Sequence, residues 1–134
     1  MSRVAACGPS EAQSRTRLAR AYLDVAAQTA EDPSQEARSV AAGNAVLAAI
    51  AASDALCCVH LGKRARGRDH RAAVTMVGLV RPDGAALATA LQRCLTVKDS
   101  AHYGDRFLAK TDLSATLRAA TRLVRAAEAA LPQR

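Results

Sequence analysis

Residues 35–61, "QEARSVAAGNAVLAAIAASDALCCVHL", decide the fold. Wound at about 100° per residue, the stretch is apolar on nearly every side, and this predicts one long helix buried at the centre of a bundle. Its small residues, Ala41, Ala45, Ala48, Ala49 and Ala52, let neighbouring helices approach closely. Residues 40–61 are also long enough to cross a bilayer. Asn44 and Asp54 interrupt them, and a carboxylate at mid-span costs on the order of 3 kcal/mol, so a soluble core helix is expected and no membrane partner. Both polar side chains must then find partners inside, either in a structural hydrogen-bond network or in a polar pocket. Gly62 fits the C-terminal cap.

Outward from this helix, Ala, Leu, Arg and Glu dominate, with Gly and Pro between segments, so the chain reads as all-α. A first helix is expected over residues 10–31, capped by Ser10 and with Leu18, Tyr22 and Val25 on one face; "EDPSQE" turns the chain after it. Downstream, a short helix over residues 70–79 ends at "RPDG", and a longer one runs over residues 84–103 until Gly104. The last, residues 112–131, has Leu113, Leu117, Ala120, Leu123 and Val124 inside and Arg118, Arg122 and Arg125 outside. Asp112 or Ser114 can cap it and Pro132 closes it. Short loops between long helices favour antiparallel neighbours, hence an up-and-down bundle of four to five helices. The 134 residues make one domain, with residues 1–9 expected to be flexible.

Nineteen Lys and Arg against 12 Asp and Glu give a net charge of +7, which favours polyanionic partners. Tyr22, Tyr103 and Phe107 are too few to build a stacking platform for single-stranded bases. The four cysteines show no zinc-like spacing and Cys57 and Cys58 are adjacent, so a reduced, cytoplasmic protein with Cys as a small core residue is expected. "MSRVAACGPSEAQ" lacks the apolar run of an export signal. His60, His70 and His102 are dispersed, and no metal or cofactor is expected; His60 reads as a helix-end residue.

Two stretches carry candidate chemistry. In "LQRCLTVKDSAHYGD", residues 91–105, Lys98 and His102 fall within about 20° of the centre of the apolar stripe set by Leu91, whereas Arg93 lies on the solvent side. Either the helix leaves the core here, with Lys98 snorkelling, or the stripe opens into a cleft where Lys98 and His102 meet a ligand beside Asp99 and Tyr103. "HLGKRARGRDHR", residues 60–71, groups Lys63, Arg64, Arg66, Arg68, His70 and Arg71. It reads as a solvated connection, as a grip on phosphates, or through Arg64 and His70 as a catalytic pair.

The order of "NAVLAAIAASDALCCVHLGKRARGRDHRAAVTMV", then "KDSAHYGD", then an Ala-rich amphipathic helix resembles HEPN domains (higher eukaryotes and prokaryotes nucleotide-binding) over residues 36–131. Lys98, Ala101, Tyr103 and Gly104 match that family's "RxxADYG", with Lys for Arg and His102 for Asp. The resemblance implies a dimeric helical bundle that binds RNA or a nucleotide. Its implied activity is metal-independent RNA cleavage: a 2′-hydroxyl attacks the adjacent phosphate, His102 handles the proton, and Lys98 steadies the charge on phosphorus. It also implies a toxin paired with a nucleotidyltransferase antitoxin, with Tyr103 as the residue open to modification. Lys98 and His102 are separated by three residues where the family's Arg and His have four to six, and Lys lacks the bidentate fork of Arg. The alternative is a regulatory or adaptor bundle that binds a protein partner and performs no chemistry.

Overall fold

The computed structural model describes residues 4–67, 70–103 and 108–132, with the backbone alone for His102 and Tyr103. The described chain is helical apart from one small ribbon. In order it forms β1 (Val4–Ala6), α1 (Pro9–Thr29), α2 (Gln35–Leu61), β2 (Lys63–Ala65), α3 (His70–Val77), α4 (Gly84–Tyr103) and α5 (Lys110–Ala130).

α2 spans the residues its pattern predicts. Ser34 caps its start by accepting the Ala37 N–H at 3.1 Å, and Gly62 ends it in the left-handed conformation, φ 71°, where a side chain would be strained. Length and composition alone would let this helix cross a membrane, yet 72% of its most apolar window is buried within the bundle. Ala41, Ala42, Ala45, Ala48, Ala49, Ala52 and Ala55 have no exposed surface.

α2 and α5 touch each other and each touches both α1 and α4, which puts α1 and α4 at opposite corners of a rhombic bundle. The start of α2 (Ala41, Ala42) packs with Val97 and Ala101 of late α4 and with Leu113 of early α5. Arg20 of α1 binds Glu128 of late α5 through two bonds, 2.7 and 2.9 Å. The four long helices therefore run up, down, up, down, as the short connections imply. α3 packs on α4 and β2. Gly84 begins α4 against the Gly78 carbonyl; an added Cβ would lie 2.5 Å from that oxygen.

Three expectations are corrected. The inner face of α1 is Ala12, Thr16, Ala19, Leu23 and Ala26, whereas Leu18 and Val25 are 41% and 47% exposed. The small face wins because α2 offers alanines, and closely approaching helices have no room for bulk. α1 also starts at Pro9 rather than Ser10, and α5 at Lys110, where the Asp112 carboxylate accepts the Ala109 N–H at 3.1 Å. Ala109 has no side-chain acceptor, so only this half of a capping box exists.

Second, within the stretch expected to be flexible, Val4–Ala6 pairs antiparallel with Lys63–Ala65, Val4 opposite Ala65. Third, Cys7 and Cys58 form a disulfide. This removes the premise on which a reduced, cytoplasmic chain was expected. Cys57 and Cys94 do remain buried thiols, both pushed up to about 12 by burial. On a helix adjacent residues point about 100° apart, so Cys57 enters the main core while Cys58 meets the N-terminal segment. Because the bond closes a separation of 51 residues, its reduction or Cys58→Ser is expected to lower stability by about 2–4 kcal/mol. A shift of the denaturant midpoint reads this; an unchanged midpoint refutes it.

Candidate functional site

The basic stretch after α2 is positioned by the ribbon. β2 turns back along α2, so that Arg64 stands in the field of Asp54, two turns before the helix end. Arg64 is half-buried; its Nη1 donates to the Ala65 carbonyl at 3.4 Å and its Nε is buried without a hydrogen-bond partner among the described residues. Lys63 and Arg66 are exposed. Arg68 lies outside the described residues.

α3 then brings His70 against α4. Lys98 Nζ lies 3.2 Å from His70 Nε2, in a partly buried contact between residues 28 apart in sequence. An ammonium has three donors and no acceptor, so in this contact Lys98 is the donor and Nε2 the acceptor. The two stretches singled out in the sequence thus meet at one point. Arg64 stands by Asp54, while His70 lies beside Lys98. Arg71 and Asp99 are exposed. The side chains of His102 and Tyr103 lie outside the description, while their backbone completes the last turn of α4.

The two polar residues of α2 do not share a pocket. Asn44 is only half-buried and donates to the Val40 carbonyl one turn earlier, 3.1 Å away, which corrects its placement in a polar core. Asp54 is nearly covered, its side chain 12% exposed, and faces Arg15 at 3.9 Å. Its partner is therefore α1, not Lys98.

A concave surface that the sequence did not single out lies between α4 and α5. A cavity of about 420 Å³ is lined by Thr89, Gln92, Arg93, Thr96, Val97, Asp112, Ala115 and Thr116. A second, of about 330 Å³, continues it and shares Thr89, Arg93 and Ala115. Its signal was present as Arg118, Arg122 and Arg125 at helical spacing, read there as a solvated face. Comparison with known proteins finds no family model, no curated protein and no solved structure that matches this chain.

Burial raises the Asp54 carboxyl above its ordinary value, more than Arg15 and Arg64 lower it. The folded chain holds this proton more tightly than the unfolded chain, so the associated stability is full at low pH and is lost as pH rises through the folded value. Asp54→Asn cannot ionise; it is expected to melt higher than the parent at about pH 7, with the difference closing by about pH 3. A variant that melts lower at neutral pH would show that the attraction of Arg15 outweighs burial.

Proposed function

We propose that this protein is a HEPN-like bundle that binds RNA or a nucleotide through phosphate contacts. The observation that carries the reading is the Lys98–His70 contact at 3.2 Å. It joins a cation on the continuation of a core stripe to the end of a basic stretch, and so supplies a point charge beside the His70 imidazole. Lys63 and Arg66 extend the positive surface outward, and Arg71 at the start of α3 adds to it. Phosphate contacts of this type position a chain without reading its bases, in keeping with so few aromatic residues.

In this reading Lys98 neutralises a phosphate and His102, one turn further along α4, is the group that would move a proton; catalysis rests on that second residue. Tyr103 would be the target of a nucleotidyltransferase partner. A homodimer belongs to the same proposal, supported by five large apolar side chains that α1 and α2 leave exposed: Leu18, Val25, Val40 (53%), Leu47 (36%) and Val59. Light scattering should find a dimer for the parent and a monomer for Leu18→Glu with Leu47→Glu; a parent that is already monomeric rejects this part.

Fluorescence polarisation with a labelled single-stranded RNA tests the main claim. With four or five phosphates engaged, affinity should fall roughly 50- to 130-fold between 50 and 200 mM salt, and Lys98→Ala should flatten the log–log slope by about 0.7. A Lys98→Ala slope equal to that of the parent removes Lys98 from the interface. Incubating the same RNA without metal beside His102→Ala separates binding from cleavage: products made by the parent and lost in the variant identify a nuclease.

A further inference from the structure

The groove between α4 and α5 lies on another face from Lys98 and has a different chemistry. Its floor is apolar and shallow: Ala86, Ala90, Ala115 and Ala119 lie at four-residue spacing along the two helices, with Val97 at one end. The threonines add little polarity, since Thr89, Thr96 and Thr116 each donate their hydroxyl to the carbonyl one turn earlier, at 3.1, 2.9 and 2.7 Å. The rim is cationic. Arg93 stands on the α4 side and Arg118 and Arg122 on the α5 side, all exposed and none in a salt bridge among the described residues; Asp112 is the one acid that lines either cavity.

We propose that this groove docks an acidic amphipathic helix of a partner protein, laid against α4 and α5 as a further helix of the bundle. The alanine floor allows a helix axis to come as close as about 8 Å, which bulkier side chains would prevent. Arg118, Arg122 and the neighbouring Arg125 rise along α5 at spacings of four and three, so they flank a helix's apolar stripe for about two turns and meet Glu or Asp beside that stripe. Charge complementarity fixes the sign of the partner and sharpens its orientation.

Two other occupants fit less well. RNA gains nothing from an alanine floor, because phosphates prefer water to it and no aromatic side chain lines either cavity to stack a base. A second copy of this chain would bring a molecule of net charge +7 onto the arginine rim.

The probe is a labelled synthetic peptide of about 20 residues, a length typical of the helices here, with a Leu and Ala stripe flanked on both sides by Glu. Beside it stand a scrambled peptide of the same composition and the labelled RNA used above. The parent is expected to bind the amphipathic peptide at least tenfold tighter than the scrambled one. Arg118→Glu with Arg122→Glu should weaken that binding tenfold or more while RNA binding stays within twofold. Ala119→Leu, which fills the floor and keeps every charge, should weaken the peptide as well. All substituted residues face the groove, and a melting curve matching the parent's certifies the fold; where Ala119→Leu fails it, the arginine variant with the scrambled peptide decides. Equal binding of the two peptides, or peptide binding indifferent to the arginine reversal, overturns the proposal. Loss of RNA binding alone in the arginine variant assigns the groove to a polyanion and overturns it as well.

Discussion

Everything in this structure depends on a helix that is buried over most of its surface and lined with alanine where its neighbours meet it. α2 contributes no exposed surface at seven alanines, and such a helix can only be the axis around which others are laid. Close packing follows from the small side chains, because axes that approach within about 8–10 Å leave no volume for anything larger at the contacts. Between these contacts bulk enters from both directions: Leu56 and Val46 of α2, and Leu91, Leu123 and Val124 of α4 and α5, are among the largest fully buried side chains. Hydrophobic burial and dispersion concentrate there, and every polar device of the protein is pushed to an end of α2 or to an outer helix.

The ribbon and disulfide are one such device. α2 stops at Gly62, and the chain that leaves it would otherwise be a basic loop in solvent. Instead Cys7 joins Cys58 one turn before the cap, the Cys7 N–H donates to the Gly62 carbonyl at 3.0 Å, and β1 pairs with β2. Together these aim the chain back along α2, which is why Arg64 lies near Asp54. The position of His70 beside Lys98 is thus set partly by covalent and hydrogen-bonded links at the opposite end of α2.

How much of this was legible in the sequence follows the length of each pattern. α2 was readable to its last residue because a 27-residue apolar pattern and the Gly62 cap agree. α5 was readable on its inner and outer faces from its apolar spacing, while its bounds moved from 112–131 to Lys110–Ala130. α1 misled, because Leu18, Tyr22 and Val25 are its most conspicuous apolar residues, yet the alanines of α2 select the face that fits rather than the face that is greasiest. β1 was invisible: three residues carry no period, and the cysteine pairing that secures it depends on which way two adjacent helical residues point. The candidate site was legible as two halves. Lys98 stood out by its angle on α4 and His70 by its basic company, but their contact comes from the packing of α3 on α4, which no local pattern encodes.

The rhombic arrangement also explains why one helix can serve two separate surfaces. α4 sits at a corner, with α2 behind it, α3 on one flank and α5 on the other. Arg93 and Lys98, five residues apart, are rotated by about 140° on that helix. One therefore looks out over the α5 groove while the other reaches α3. In a bundle whose corner helices were fully enclosed, neither position could carry a charge without a buried partner, and desolvation would be the dominant cost. At this corner both remain near water, so positive charge accumulates on two faces without destabilising the core between them. No aromatic side chain lines either cavity between α4 and α5, so charge and shape are what that groove presents.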